Sequence, residues 1–340
     1  VLYGILAATT ALLLSALLAA LLRVPALRAR IVDRRRRARP VPLLGGLAVA
    51  LAVSAVTWAC DRTGLAPLGD GVGGLLAAGS AVAGLGLVAD VWRLKTRFLV
   101  LGTAVAAACV VPYDEIGVPG GVLAVVWIVF VAGAFKGLDH ADGLAGTVGV
   151  VTAFGVGACA AMEVMDGLAV LLSVLAAALT GFLMHNWHPA RIALGACGSL
   201  FTGFLLASAA VLTQAGRGFA SSAGVLFALT AVASADAVLV LLSRRLAGRA
   251  LLRGGPDHLA HRLRRLGLTP QGAVVLLGIG GFSGVLVGVL VHNGWVGESA
   301  VVWVVGGALV VVFGLLKVNV YGVRRAASTQ VRGQLRVRNG

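Results

Sequence analysis

Two aspartates, Asp139 and Asp142, sit three residues apart in "KGLDHADGLAG" (136–146), in a chain that is 59% hydrophobic and 12% charged. Asp90 closes the apolar run ending "GLVADVWRLK", and Asp236 lies inside another, "ASADAVLVLL". An ionisable group at membrane depth costs roughly 2.5–3.5 kcal/mol even on lenient insertion scales, so it is usually paired or functional. Arg93, Lys95, Lys136, Arg244 and Arg245 are near enough in sequence to pair with them. Four carboxylates at the ends of different apolar runs also suit another purpose, a polyanion handled with a divalent metal. Mg²⁺ takes one or two carboxylates and completes its shell with water and phosphate oxygens. Phosphoryl transfer needs positioning and charge neutralisation more than covalent help from the protein. Nearby cations would hold a diphosphate and an apolar groove a lipid chain.

The elements that must place these acids are membrane helices. The chain has 340 residues and a mean hydropathy of +0.98, with apolar runs of a length that suits a bilayer, which asks for roughly 20 residues per helical crossing. It shows no period-two alternation, which favours helices over a barrel. The expected fold is all-α and polytopic. Eleven crossings are predicted near 2–22, 44–60, 72–90, 98–112, 121–135, 143–162, 167–187, 193–213, 222–242, 271–292 and 299–320. The short fourth and fifth suit tilted or partly re-entrant segments. The first run has no small-residue cleavage site and precedes an arginine cluster, so it is expected to remain as an anchor. Residues 1–320 read as one transmembrane domain and 321–340 as a basic tail.

Basic residues set the orientation. All of the 28 lysines and arginines except Arg62 and Arg217 fall on one set of loops, including "RRRR" at 34–37 and seven arginines between 244 and 265. That side is expected to be cytoplasmic, with the N-terminus outside and the C-terminus inside. A basic rim on an anionic leaflet accounts for the net charge of +15. The basic runs lack interleaved aromatics, which argues against nucleic acid. Polar groups cluster at one end of the helices, which argues against a transporter. Cys60, Cys109, Cys159 and Cys197 lack metal-ligand spacing and are expected to be small buried residues. His185 and His188 are expected to be interfacial, and "GVGGLLAAG" (71–79) reads as a small-residue helix contact.

Six segments in order, "RPVPLLGGLAV", "VADVWRLKTRFLV", "GAFKGLDHADGLAG", "NWHPARIALGACGSLFTGFLLA", "ADAVLVLLSRRLAGR" and "GGPDHLAHRLRRLGLTPQGAV", span nearly the whole chain. They resemble the polyprenyl-phosphate N-acetylhexosamine-1-phosphate transferase family. That family includes the phospho-MurNAc-pentapeptide translocase and the GlcNAc-1-phosphate transferases that begin teichoic acid, O-antigen and arabinogalactan-linker synthesis; this chain is more similar to the GlcNAc branch. The resemblance implies an integral protein of the bacterial plasma membrane with its site on the cytoplasmic side. There a polyprenyl phosphate attacks the β-phosphate of a UDP-N-acetylhexosamine, with Mg²⁺, releasing UMP. Carried over by position, it implies Asp90, Asp139, Asp142 and Asp236 as catalytic residues, with Asp139 and Asp142 on the metal. It implies Lys95, Lys136, His258, His261, Arg262, Gly198 and Ser199 as substrate-binding residues.

The chain departs from the family pattern at working positions. A paired aspartate is Ala89, two asparagines are Gly133 and Lys136, a metal-binding aspartate is Ala196, and a central histidine is Ala260. The opening "PTPRxGG" becomes "PVPLLGG", without its arginine. Lys136 is expected to pair with Asp139 and put a fixed ammonium where a cation would sit. Losing a metal-ligand carboxylate that also stabilised the transition state would cost about 4 kcal/mol, or some thousandfold in rate. Two readings stay open: a divergent transferase with a rebuilt site, and a non-catalytic relative that binds polyprenyl phosphate, a nucleotide-sugar or a membrane partner. Sugar, lipid length and homo-oligomerisation are not fixed by the sequence.

Overall fold

The computed structural model describes residues 2–33, 40–64, 68, 69, 71–92, 94–250, 255, 257–318 and 320. The arginines at 34–37, Arg39, Asp70, Arg93, Arg253 and the tail at 321–340 lie outside the described residues. Each of the eleven apolar runs falls on a helix or a helix pair. The helices are α1 (Leu2–Arg28), α2 (Gly45–Arg62), α3 (Val72–Trp92), α4 (Thr96–Ala108), α5 (Tyr113–Leu138), α6 (Leu144–Met162), α7 (Asp166–Asn186) and α8 (Gly195–Thr213). They continue as α9 (Phe219–Leu229), α10 (Ala231–Leu246), α11 (Leu259–Arg265), α12 (Pro270–His292) and α13 (Ala300–Leu316). A two-stranded antiparallel ladder, β1 (Val32–Asp33) with β2 (Val41–Pro42), is the only sheet among the described residues.

The protein is thus almost wholly helical, as its composition requires of a chain that must satisfy its backbone inside lipid. Among the described residues, seven helices are long and apolar enough to cross a membrane, or eight if α9 and α10 form one span. That measure does not reach the expected eleven, because α4 has 13 residues, α13 has 17, and α2 ends in Cys60, Asp61 and Arg62. The predicted fifth run lies within α5, which is kinked at Gly117.

The ninth run differs most from expectation. It is read from sequence as one crossing, but α9 and α10 meet at an 85° bend. At the corner the Thr230 hydroxyl donates to the Leu226 carbonyl at 2.8 Å, and the Thr230 carbonyl accepts from Ser234 N at 2.9 Å. Such local side-chain bonding offers the backbone an alternative to a straight helix. The bend gives Asp236 a helix of its own.

Helix α8 forms the centre: every residue from Gly195 to Val211 is buried. The neighbours that bury it on all sides are α2, α3, α5 and α6. The approach is closest at Gly46 of α2 and Gly198 of α8, where a Cβ on either residue would collide with the other's backbone. At the end of α8 nearest this contact, Gly45 N and Gly46 N donate to the Ala193 and Leu194 carbonyls at 3.1 and 2.9 Å. Those bonds fix the loop between α7 and α8 against "PVPLLGG". The last helices are joined by Arg262, buried to 1% exposure on α11. Its guanidinium donates to the carbonyls of Leu315 (2.7 Å) and Val318 (2.9 Å) at the end of α13 and to the Ser243 hydroxyl of α10.

Candidate functional site

The N-terminus of α8 is where two of the four acids, Asp90 and Asp139, meet. The first amides of a helix lack internal partners and carry the positive end of its dipole, so they attract anions. Here the anions are side chains of the protein itself. Gly195 N donates to Asp139 Oδ2 at 2.8 Å. Ala196 N and Cys197 N donate to Asp90 Oδ1 and Oδ2 at 2.9 and 3.0 Å. Gly195 has φ +70°, and a Cβ there would stand 2.6 Å from Asp90 Oδ2, so only glycine admits the carboxylate this close. Lys136, half-buried in the last turn of α5, and Asp33 of β1 lie within electrostatic reach of Asp90.

Asp142 faces the α7–α8 loop, accepting from Ala190 N at 3.1 Å and bonding His188 Nδ1 at 2.8 Å through the same oxygen. Asn186, buried at the end of α7, orients both segments: its Oδ1 accepts from Gly143 N and its Nδ2 donates to the Ile192 carbonyl, each at 2.8 Å.

Asp236 is buried on α10, with His258 Nδ1 at 2.8 Å from Oδ2 and Leu259 N at 2.7 Å from Oδ1. His140, between the two loop aspartates, stacks on His258 with ring centroids 4.1 Å apart, and His261 stands 4.7 Å from His140. Burial, then the neighbouring His258, hold the His140 imidazole down to about 3. Burial, His258 and Arg264 hold His261 down to about 4. Both rings are therefore neutral at ordinary pH. Residues 136–142 thus join all three carboxylate environments at one end of the bundle.

The remaining site candidates are placed as follows. Lys95 is exposed at the start of α4. Gly198 carries the α2 contact, and the buried Ser199 hydroxyl donates to the Gly195 carbonyl at 2.6 Å inside α8. Arg262 faces helix-end carbonyls. Arg244 pairs with Asp257, not Asp236, through Nε at 2.6 Å and Nη2 at 3.0 Å. His261, Arg264 and Arg265 line a cavity of about 420 Å³ with Leu268 and Pro270.

Three residues of the site escaped the sequence reading. His188, expected to be interfacial, is the partner of Asp142. Asn186 looked like the end of a crossing. His140 had a legible signal, since the family pattern D-G-x-D-G has glycine where this chain has an imidazole. Among the cysteines Cys60, Cys159 and Cys197 are buried as expected, whereas Cys109 is exposed.

Mg²⁺ needs carboxylate oxygens aimed at a common point. Both Asp90 oxygens are engaged by α8 amides, Oδ2 of Asp139 by another, and Oδ2 of Asp142 by two donors. Ala196 offers a methyl group where the family pattern has a metal-binding aspartate. This donor set lacks one carboxylate of the Mg²⁺ shell that the resemblance implies.

Residues 72–214 match the family described as glycosyl transferase family 4. A putative glycosyltransferase of Streptomyces coelicolor is 69% identical over 96% of this chain and 80% of its own. The decaprenyl-phosphate N-acetylglucosaminephosphotransferase of Mycobacterium leprae is 30% identical over 72% of each chain. A probable undecaprenyl-phosphate N-acetylglucosaminyl 1-phosphate transferase of Bacillus subtilis is 28% identical over 74% of this chain and 73% of its own.

Proposed function

The chain belongs to the polyprenyl-phosphate N-acetylhexosamine-1-phosphate transferase family, and on that premise we propose that it binds a polyprenyl phosphate at the cytoplasmic face of the bacterial plasma membrane, with Mg²⁺-dependent transfer of a sugar 1-phosphate from a UDP-sugar strongly reduced or lost. The observation that carries this reading is the closure of the α8 N-terminus by Asp90 and Asp139 beside Ala196. Carboxylates that satisfy buried amides hold the fold, and turning them away from α8 toward a metal leaves those amides unpaired. Lys136 neutralises them with a fixed ammonium, a role the family gives to a cation. Phosphate binding survives such losses because it needs donors and positive charge more than carboxylates. His261, Arg264 and Arg265 around their cavity supply both. Residues 1–320 act as one transmembrane unit in this reading.

The test is UMP release by purified protein given UDP-GlcNAc, polyprenyl phosphate and Mg²⁺ in detergent. The expected rate equals that of a heat-inactivated control. Robust turnover, abolished by Asp90→Ala or Asp139→Ala, establishes a divergent working enzyme instead.

A further inference from the structure

We propose that His140, Asp236 and His258 form a binding site for one divalent transition-metal ion, Zn²⁺ first among them. One ligand atom from each residue lies within 4.8 Å of the other two. His258 Nδ1 and Asp236 Oδ2 are hydrogen-bonded at 2.8 Å, and an ion bound between them takes the place of that proton, which is released. Ligands at about 2.1 Å from Zn²⁺ are roughly 3.4 Å from one another, so the His258–Asp236 pair opens slightly and His140, on a loop, closes toward it. Its Nδ1 lies 2.8 Å from the Gly137 carbonyl. An N–H donated there leaves Nε2 as the lone-pair atom, and Nε2 is buried with no hydrogen-bond partner in the structure.

A buried unpartnered acceptor calls for an explanation, and an ion is one. Metal-binding histidines usually have the other ring nitrogen held by a carbonyl or carboxylate, and ligating carboxylates are themselves hydrogen-bonded. Gly137 does the first for His140, and Leu259 N, at 2.7 Å from Asp236 Oδ1, does the second. Two imidazoles and one carboxylate select Zn²⁺, Fe²⁺, Co²⁺ or Ni²⁺ over Mg²⁺, which prefers oxygen alone. The site is separate from the carboxylates at the α8 N-terminus and stands whether or not sugar phosphate is transferred.

Full-length protein in detergent is stripped with a chelator, desalted and titrated with Zn²⁺ while free metal is followed with a competing indicator. The expected result is one tight equivalent per chain, undisturbed by a large excess of Mg²⁺. His140→Ala should weaken it by at least about 100-fold, more than loss of an outer-shell partner does. His185→Ala should leave it unchanged. To keep the test independent of how the variant folds, the bound Zn²⁺ in the unmodified protein is also examined by X-ray absorption. Two imidazoles and an oxygen ligand are expected there. No tight equivalent, a folded His140→Ala protein that binds normally, or a shell with fewer than two imidazoles overturns the proposal.

Discussion

Asp90 shows what one side chain can be made to do. Its two oxygens close two consecutive amides of a buried helix start, so Asp90→Ala strands both and removes a charge that the helix dipole favours. A loss of about 3 kcal/mol is expected, read as a lower denaturation midpoint in detergent, and Asp90→Asn, which keeps one acceptor, should lose less. Ala196→Asp should also be destabilising alone, because it adds a like charge beside Asp90. Combined as Ala89→Asp, Lys136→Asn and Ala196→Asp, the replacements should restore Mg²⁺-dependent UMP release, whereas single replacements do little, since groups that act as a unit are not additive. His261 gives a pH signature. Its value falls from 6.5 to about 4 on folding, so between those limits the unfolded chain takes up a proton that the folded protein refuses. Stability present above pH 6.5 is therefore lost as pH falls toward 4. Melting curves across that window should show the decline, and His261→Gln should lessen it, leaving the part that His140, lowered to about 3, contributes. At this scale the sequence was legible for acids in odd places and for their neighbourhood. It was not legible for partners: nothing in the chain says that Asp142 will meet His188, or that Asp236 will choose His258 over Arg244, because those choices depend on which helix ends converge.

Helices were the most readable level. The apolar runs at 72–90, 167–187 and 271–292 lie on α3, α7 and α12 to within a few residues, since length and apolarity decide membrane helices almost alone. The corner at Thr230 was hidden because a single threonine in an apolar run is usually tolerated in a straight helix. The close contact of α2 and α8 was visible only as glycines. Gly198→Ala should show its weight: a methyl against the Gly46 backbone forces the helices apart at the site end of the bundle. A cost of about 3 kcal/mol is expected, the upper part of the usual range for overpacking, with a matching drop in melting temperature. Gly306→Ala, which meets nothing nearby, serves as the control and should leave the melting temperature unchanged.

For the whole molecule, the membrane class and family were available from composition and six ordered motifs. Counting runs gives eleven, while seven or eight helices have the length and apolarity to cross. The proposed orientation makes a direct forecast. With the exposed Cys109 replaced by alanine, Arg217→Cys should react with an impermeant thiol reagent on intact cells, and Arg264→Cys only after permeabilisation. The reverse pattern places the site on the outer face and removes the cytoplasmic reading. Saturating polyprenyl phosphate should raise the melting temperature in detergent, whereas polyprenol, with the same chain and no phosphate, should not.

The position of α8 also says something about synthesis. It is the least apolar of the seven long spans, carrying Ser199, Thr202, Ser208 and Thr213 along its length, and would be a poor passenger in bare lipid. Its walls α2, α3, α5 and α6 all precede it in the chain, as do Asp90 and Asp139. The ribosome therefore delivers the lining first and the centre afterwards. A nascent chain released just past Thr213 should already shield α8 from lipid-soluble crosslinkers, whereas one lacking α2 and α3 should leave it open to them.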